Sequence, residues 1–335
     1  MAIEQTRDMF PGAGSPAVLR TIDLSKSFGD VVAVDRLSLE IRRGEVFGFL
    51  GPNGAGKTTT IRMMSGLLEP DSGSVEILSG GTVFSKAVVA SMIGLSPQSI
   101  VIWETLTCLE QLEFMGRVYN LDRVLARRRS EELLDAFGLR EKRNKLGKTL
   151  SGGMQRRLNI ALALVHQPEI LFLDEPQAGL DPQSRVLVRE YIRGLAGKTT
   201  VVLTTHDMEE AEKLSDRVSI IDRGKLLVLD TVENLKDRLG QGDLIEIELA
   251  AEPGPDFLAA ISAAAKAPGT EGAESASPLG VRAETLSLVS ARAAEILPGL
   301  LKVIEGRGMG MDHIRVRQRN LEDVFIQLTG RGLRE

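Results

Sequence analysis

Residues 46–58 read VFGFL-GPNGAGKT, and a helix-forming stretch, TTIRMMSGLL (59–68), follows at once. The apolar run VFGFL reads as a short buried strand. The residues after it fit the pattern G-x-x-x-x-G-K-[ST]. Gly51, Gly54 and Gly56 permit backbone angles that turn successive N–H groups inward as a nest for phosphate oxygens, with Pro52, Asn53 and Ala55 between them. Lys57 is placed to reach the β- and γ-phosphates of a nucleotide, and Thr58 to offer its hydroxyl to magnesium. The helix that starts there points its positive end at the same phosphates. Strand, glycine loop and helix in this order predict an α/β fold with a largely parallel sheet.

Other segments extend that reading. ILFLDE (170–175) is an apolar strand delivering Asp174 and Glu175 at its C-terminal end, the edge where ligands bind in doubly wound sheets. Asp174 is suited to hold magnesium and Glu175 to polarise an attacking water. LSGGMQ (150–155) reads as a helix start with Ser151 as N-cap and unsatisfied N–H groups behind it, an end that attracts anions. Residues 105–164 carry apolar side chains at helical spacing, among them Leu109, Leu112, Met115 and Val118. VVLTTHD reads as a further strand and RVSIIDRGKLLVLD as a hairpin. Beyond about residue 240 the composition shifts. DLIEIEL and HIRVRQ alternate as strands, and NLEDVFIQLTG reads as a short helix. The expected organisation is a loose tail over 1–16, a nucleotide-binding domain over 17–238 with a helical subdomain at about 99–165, and a small α+β domain over 239–335.

Bulk properties exclude several classes. The formal net charge of the 335 residues is -5 and no long basic run occurs, which argues against a nucleic-acid binder. Arg127–Arg129 are followed by Glu131 and Glu132, as on a solvated helix face. The single cysteine, Cys108, cannot form an internal disulfide and reads as a small buried residue. No signal peptide and no apolar run of membrane-spanning length is visible, so a membrane role is expected to come through a partner. His166 and His313 read as structural or exposed, and Trp103 either as core or as part of a surface that receives a membrane-protein helix.

Together these residues resemble the nucleotide-binding subunits of ATP-binding-cassette transporters. Residues 51–58 resemble Walker A, 170–175 Walker B, and LSGGMQ the family signature. The resemblance spans about residues 18–230 and implies further roles. Gln98, in SPQ, resembles the glutamine that senses magnesium. Ala178-Gly179-Leu180-Asp181 resembles the D-loop, His206 in TTHD the switch histidine, and Phe28 the aromatic residue that stacks on adenine. It thus implies a P-loop NTPase core with an antiparallel β subdomain and a helical signature subdomain. It also implies ATP held by Phe28, residues 51–58, Thr59, Ser151, Gly152, Gly153 and Asp181, and magnesium held by Thr58, Gln98 and Asp174. Lys57, Gln98, Glu175 and His206 are the implied catalytic set. Gln177 and Phe28 depart from the commoner Thr/Ser and Tyr, without removing a catalytic group.

The same resemblance implies a homodimer or a pair of such subunits. In it the signature of one chain covers the γ-phosphate bound by the Walker A of the other, on the cytoplasmic face of a membrane, beneath a separate integral-membrane permease. The C-terminal string LEDVF (321–325) and the stretch 104–121 resemble drug-resistance exporters of the daunorubicin type, in which the last domain aids dimerisation. An importer ATPase with a regulatory C-terminal domain, or a soluble cassette ATPase, are the alternative readings.

Overall fold

The computed structural model describes residues 15–79, 82–83, 90–237, 242–265, 277–282, 285–290 and 292–329. The tail expected over 1–16 lies outside them but for its last two residues. Alternating apolar and polar residues build two long antiparallel strands, β1 (Ala17–Phe28) and β2 (Val31–Arg42), which meet at a turn where Phe28 pairs with Val31. With β3 (Val46–Leu50) the pattern changes to a strand buried at every position. β4 (Ser72–Ser79) and β5 (Thr82–Val83) complete an antiparallel sheet of order β2-β1-β4-β5.

β3 belongs to a second sheet, with β6 (Ile93–Ser96), β7 (Ile170–Asp174), β8 (Thr200–Thr205), β9 (Arg217–Asp222) and β10 (Lys225–Thr231), in the order β10-β9-β3-β8-β7-β6. Neighbours run parallel from β9 to β6, and β10 closes on β9 as the antiparallel hairpin expected. Both faces of this sheet are covered, which is why its strands lack alternation. Ile170 and Phe172 of β7 point into one apolar cluster with Phe47, Phe49 and Ile61. Leu171 and Leu173 point into another, with Leu112, Leu133, Phe137 and Leu158 of the helical segment. Burying each such side chain contributes about 1.5–3 kcal/mol, so the sheet is anchored from both sides.

The helices are stopped and started by local chemistry. Thr107 and Glu110 form a capping box at the helix Cys108–Val118, and Asp122 accepts from the N–H groups of Val124 and Leu125 to start Arg123–Ala136. Leu109 and Leu112 are buried and Met115 packs on the same core, but Val118 is exposed, because nine residues on from Leu109 it lies on the opposite side of a helix of about 3.6 residues per turn. Cys108 is fully buried, and its thiol faces the Lys145 carbonyl.

The chain divides into two compact units, one holding the described residues up to Val232 together with Leu328 and Thr329, the other comprising Glu233–Gln327. The second holds β11 (Asp243–Leu249), β12 (Ser277–Arg282), β13 (Thr285–Ser290) and β14 (Met311–Gln318) in an antiparallel sheet of order β12-β13-β11-β14. Helices Pro255–Ala265 and Ala293–Gly306 cover one face through Phe257, Ile261, Ile296 and Leu300, packed on Ile245, Ile247 and Leu288. The LEDVF string opens the helix Leu321–Thr329, where Asn320 Oδ1 accepts from the Asp323 N–H and Asp323 Oδ2 from the Asn320 N–H. Asp323 also takes two bonds of 2.8 Å from the Arg317 guanidinium, which reaches Glu246 on β11 as well.

Candidate functional site

Parallel pairing brings the sequence motifs to one edge. β6, β7, β8 and β3 are neighbours in the sheet. At their C-terminal ends stand Gln98, Asp174 with Glu175, His206, and the loop leading to Lys57. Four separate segments thus converge because each follows a strand of one parallel sheet.

The phosphate-binding loop is fixed by close backbone contact. Gly56 has φ +101°, and a Cβ there would lie 2.2 Å from the Ala33 carbonyl of β2. Gly54 also sits at positive φ, but faces open space. The Gly224 N–H donates to Ala55 O at 3.0 Å, and the Asp35 N–H to Gly224 O at 2.9 Å, so the loop is sewn to β2 and to the β9–β10 turn. Lys57 is buried, and its Nζ donates to Gly51 O (2.7 Å) and Pro52 O (3.0 Å). Burial pushes the Lys57 pKa down, opposed by the nearby carboxylates of Glu175 and Asp174. The ammonium is thus held in the loop without a carboxylate bonded to it, an arrangement that a polyphosphate would relieve. Thr59 follows in the first turn of the helix Lys57–Met64.

Asp174 is buried, and its Oδ1 accepts from Thr58 Oγ1 (3.1 Å) and Thr204 Oγ1 (2.5 Å). The same Thr204 hydroxyl accepts from the Glu175 N–H at 2.9 Å. Glu175 has φ +49°, a left-handed conformation that costs a non-glycine residue about 1–2 kcal/mol. His206 Nδ1 lies 2.9 Å from Glu175 Oε1, and Gln98 Nε2 lies 3.5 Å from Glu175 Oε2. Since an ionised carboxylate only accepts, this pairing puts the proton of a neutral His206 on Nδ1. Thr58, Asp174 and a glutamine amide oxygen are hard oxygen donors, the set that magnesium prefers.

Ser151 caps the helix Gly152–Leu162, its hydroxyl accepting from the Met154 N–H at 3.3 Å. Ser151 and Gly152 are exposed, and a Cβ at Gly152 would meet nothing. Asp181 caps the helix Pro182–Leu195. Its bonds from the Ser184 hydroxyl and N–H hold its carboxyl below the usual range. Phe28 stands exposed at the end of β1, with Lys26 Nζ 5.8 Å from its ring centroid.

Three residues of this site carry no motif signal. Thr204 precedes TH in the string TTHD, and a hydroxyl facing the neighbouring strand end is the only hint of its role. Arg156 and Asn159, on the signature helix, are buried, although the surrounding residues read as an ordinary amphipathic turn. Polar side chains inside a buried helical face were the available sign. Trp103 is partly exposed and packs edge-to-face on Phe114 at 5.4 Å. It lines a cleft of about 330 Å³ with Leu67, Pro97, Val101, Met115 and Tyr119. His166 is stacked on Tyr119 at 3.7 Å, and His313 is exposed on β14. Among the described residues no helix is long and apolar enough to cross a membrane.

Known proteins agree with this architecture. The family model described as ABC transporter matches residues 34–178. The chain is 38% identical over 321 residues to the linearmycin resistance ATP-binding protein LnrL of Bacillus subtilis (strain 168), covering 95% of this chain and all of that one. It is 39% identical over 318 residues to the daunorubicin resistance ATP-binding protein DrrA3 of Streptomyces coeruleorubidus, covering 92% and 95%. The Nod factor export ATP-binding protein I of Ralstonia nicotianae is 38% identical over 328 residues, covering 97% and 98%. A solved ATP-binding subunit of an ABC transporter superimposes with a TM-score of 0.61 at 28% identity, over 67% of this chain and 93% of that one. With relatives this similar over nearly the whole chain, and a strand order that gathers the nucleotide motifs at one edge, the protein belongs to the ATP-binding-cassette family, as an ATP-binding, ATP-hydrolysing transporter subunit.

Proposed function

We propose that this chain powers export of a drug-, lipid- or polysaccharide-type molecule through a separate permease, by clasping ATP between two copies of the chain. The observation that carries the reading is the pairing of a complete phosphate edge with a signature helix whose N-terminus stands exposed, available to a nucleotide held by another copy. Relatives named for linearmycin resistance, daunorubicin resistance and Nod factor export support the outward direction.

Lys57 and the N–H groups of residues 51–59 bind the phosphates, and Phe28 stacks on the base. Thr58, Asp174 and Gln98 would hold magnesium, whose charge neutralises phosphoryl oxygens when bound. Glu175 orients the attacking water and takes its proton, while His206 and Gln98 hold the Glu175 carboxylate from either side. Ser151, Gly152, Gly153 and Asp181 serve the nucleotide of the partner chain. The cleft beside Trp103, lined also by exposed Leu67 and Val101, is the seat for a cytoplasmic helix of the permease, which keeps the chain at the inner face of the membrane. The residues after about 238 act as an accessory dimerisation domain.

The test is reconstitution with the adjacent permease in vesicles. ATP-dependent movement of a cargo such as daunorubicin out of the compartment facing the ATPase supports export. Movement in the other direction, or ATP turnover indifferent to the permease, overturns it.

A further inference from the structure

The signature helix is tied to the catalytic edge of its own chain by one guanidinium. Arg156 is buried; its Nη1 donates to Pro97 O (2.8 Å) and Gln98 O (2.6 Å), and its Nη2 to Asp174 O (3.0 Å) and to Glu175 O. Four carbonyls from two loops are therefore gathered by one planar fork, a geometry that a lysine cannot reproduce. One of these carbonyls belongs to Glu175, the residue in left-handed conformation, and another to Gln98, whose side chain approaches the Glu175 carboxylate. Asn159, a turn further along, grips only the first loop, through Ser96 Oγ at 2.9 Å and the Val101 N–H at 3.1 Å.

Arg156 lies five residues beyond Ser151, which opens the same helix. A helix of this length moves as a rigid rod. Any tilt imposed on its N-terminus is felt at once by the backbone of Gln98 and Glu175.

We infer that Arg156 is a positioning residue that couples the two nucleotide sites of the dimer: engagement of Ser151 by the partner's nucleotide sets, through Arg156, the placement of Gln98 and Glu175 around the chain's own nucleotide. This rests on the two-copy clasp proposed above. Hydrolysis is then withheld until the opposite signature is engaged, without any direct contact between Arg156 and ATP.

The experiment compares the full-length wild-type chain with Arg156→Lys, Arg156→Gln and Asn159→Ala. ATP turnover is measured over a range of ATP concentrations, beside equilibrium binding of a fluorescent ATP analogue. Expected for Arg156→Gln is a tenfold or larger fall in kcat, with KM and analogue affinity within threefold of wild type. The cooperativity of turnover with ATP concentration is lost. Arg156→Lys falls between Gln and wild type, and Asn159→Ala keeps the cooperativity. Turnover within twofold of wild type in folded Arg156→Gln overturns the inference, as does an equal loss of binding and kcat. If the Gln variant does not fold, Arg156→Lys decides by the same criteria. Wild-type turnover without cooperativity would fell the two-copy clasp itself, and the coupling with it, whereas cooperative wild-type turnover that survives in Arg156→Gln fells the coupling alone.

Discussion

The hydroxyl of Thr204 joins two neighbouring acidic residues: it donates to Asp174 Oδ1 at 2.5 Å while accepting from the Glu175 N–H at 2.9 Å. One oxygen thereby orients the first carboxylate and holds the turn that presents the second. Thr204→Val keeps the shape and removes both bonds in a fully buried place. Stability is expected to fall by about 1 kcal/mol, the net worth of lost hydrogen bonds, because Asp174 Oδ1 keeps Thr58 Oγ1 and the Glu175 N–H keeps the Thr204 carbonyl. Turnover should fall more than tenfold, and Thr204→Ser should recover most of it. Thermal melts and ATPase assays check both.

Glu175→Gln keeps the volume and removes the proposed base. Turnover should drop by about 100-fold or more, while ATP binding persists. Size-exclusion chromatography with ATP and magnesium is expected to show a stable dimer that wild type does not accumulate. Wild-type turnover in this variant would remove Glu175 from the mechanism.

The pH response of nucleotide affinity should bear the mark of Lys57. Burial lowers its pKa, so the charge is lost on raising the pH before the ordinary lysine value of about 10.4 is reached. Affinity for an ATP analogue should therefore decline with rising pH on the alkaline side, beginning below that value. A Lys57→Arg variant, permanently charged, should bind more weakly but with a flat profile.

His166 predicts the opposite limb. Burial lowers its pKa, and its Nε2 faces the Ile93 carbonyl at 3.0 Å. The folded chain keeps the ring neutral below the pH of about 6.5 at which the unfolded chain takes a proton. Its contribution to stability is thus intact above about 6.5 and lost as the pH falls from there through the lowered folded value. His166→Phe should melt with a shallower pH slope between 7 and 5 by calorimetry, in units of pH chosen to bracket that of about 6.5.

The C-terminal unit offers a stability test of the LEDVF string. Asp323 is buried and receives the bidentate Arg317 bond. Asp323→Asn should destabilise that unit by about 2 kcal/mol, because Arg317 is partly exposed and retains Glu246. Chemical denaturation followed in both units separates this from any change in ATP turnover.

Much of the architecture was legible because its chemistry is contiguous. The glycine loop, the strand carrying Asp174 and the N-cap Ser151 each announce themselves within a few residues. Strands β7 and β8 could be read as buried from their unbroken apolar runs, without knowing which helices cover them. What local sequence does not carry is contact between distant segments. Thr204 matters because β8 lies beside β7, and Arg156 because a helix crosses two strand ends. Neither neighbour relation has a spacing in the sequence. Val118 shows the converse limit: successive three-residue steps identify the helix but drift around it, so its last apolar residue faces away from the core.

The stitching of Ala55 and Gly56 to β2 and to the Gly224 turn has a mechanical consequence. β2 also carries β1, whose end presents Phe28. In the proposed site, the jaw for the triphosphate and the jaw for the base are therefore built on one paired backbone, like the two arms of a calliper. Such a gauge would measure its cargo by length, and in the two-copy clasp proposed above the closing stroke falls to the facing copy.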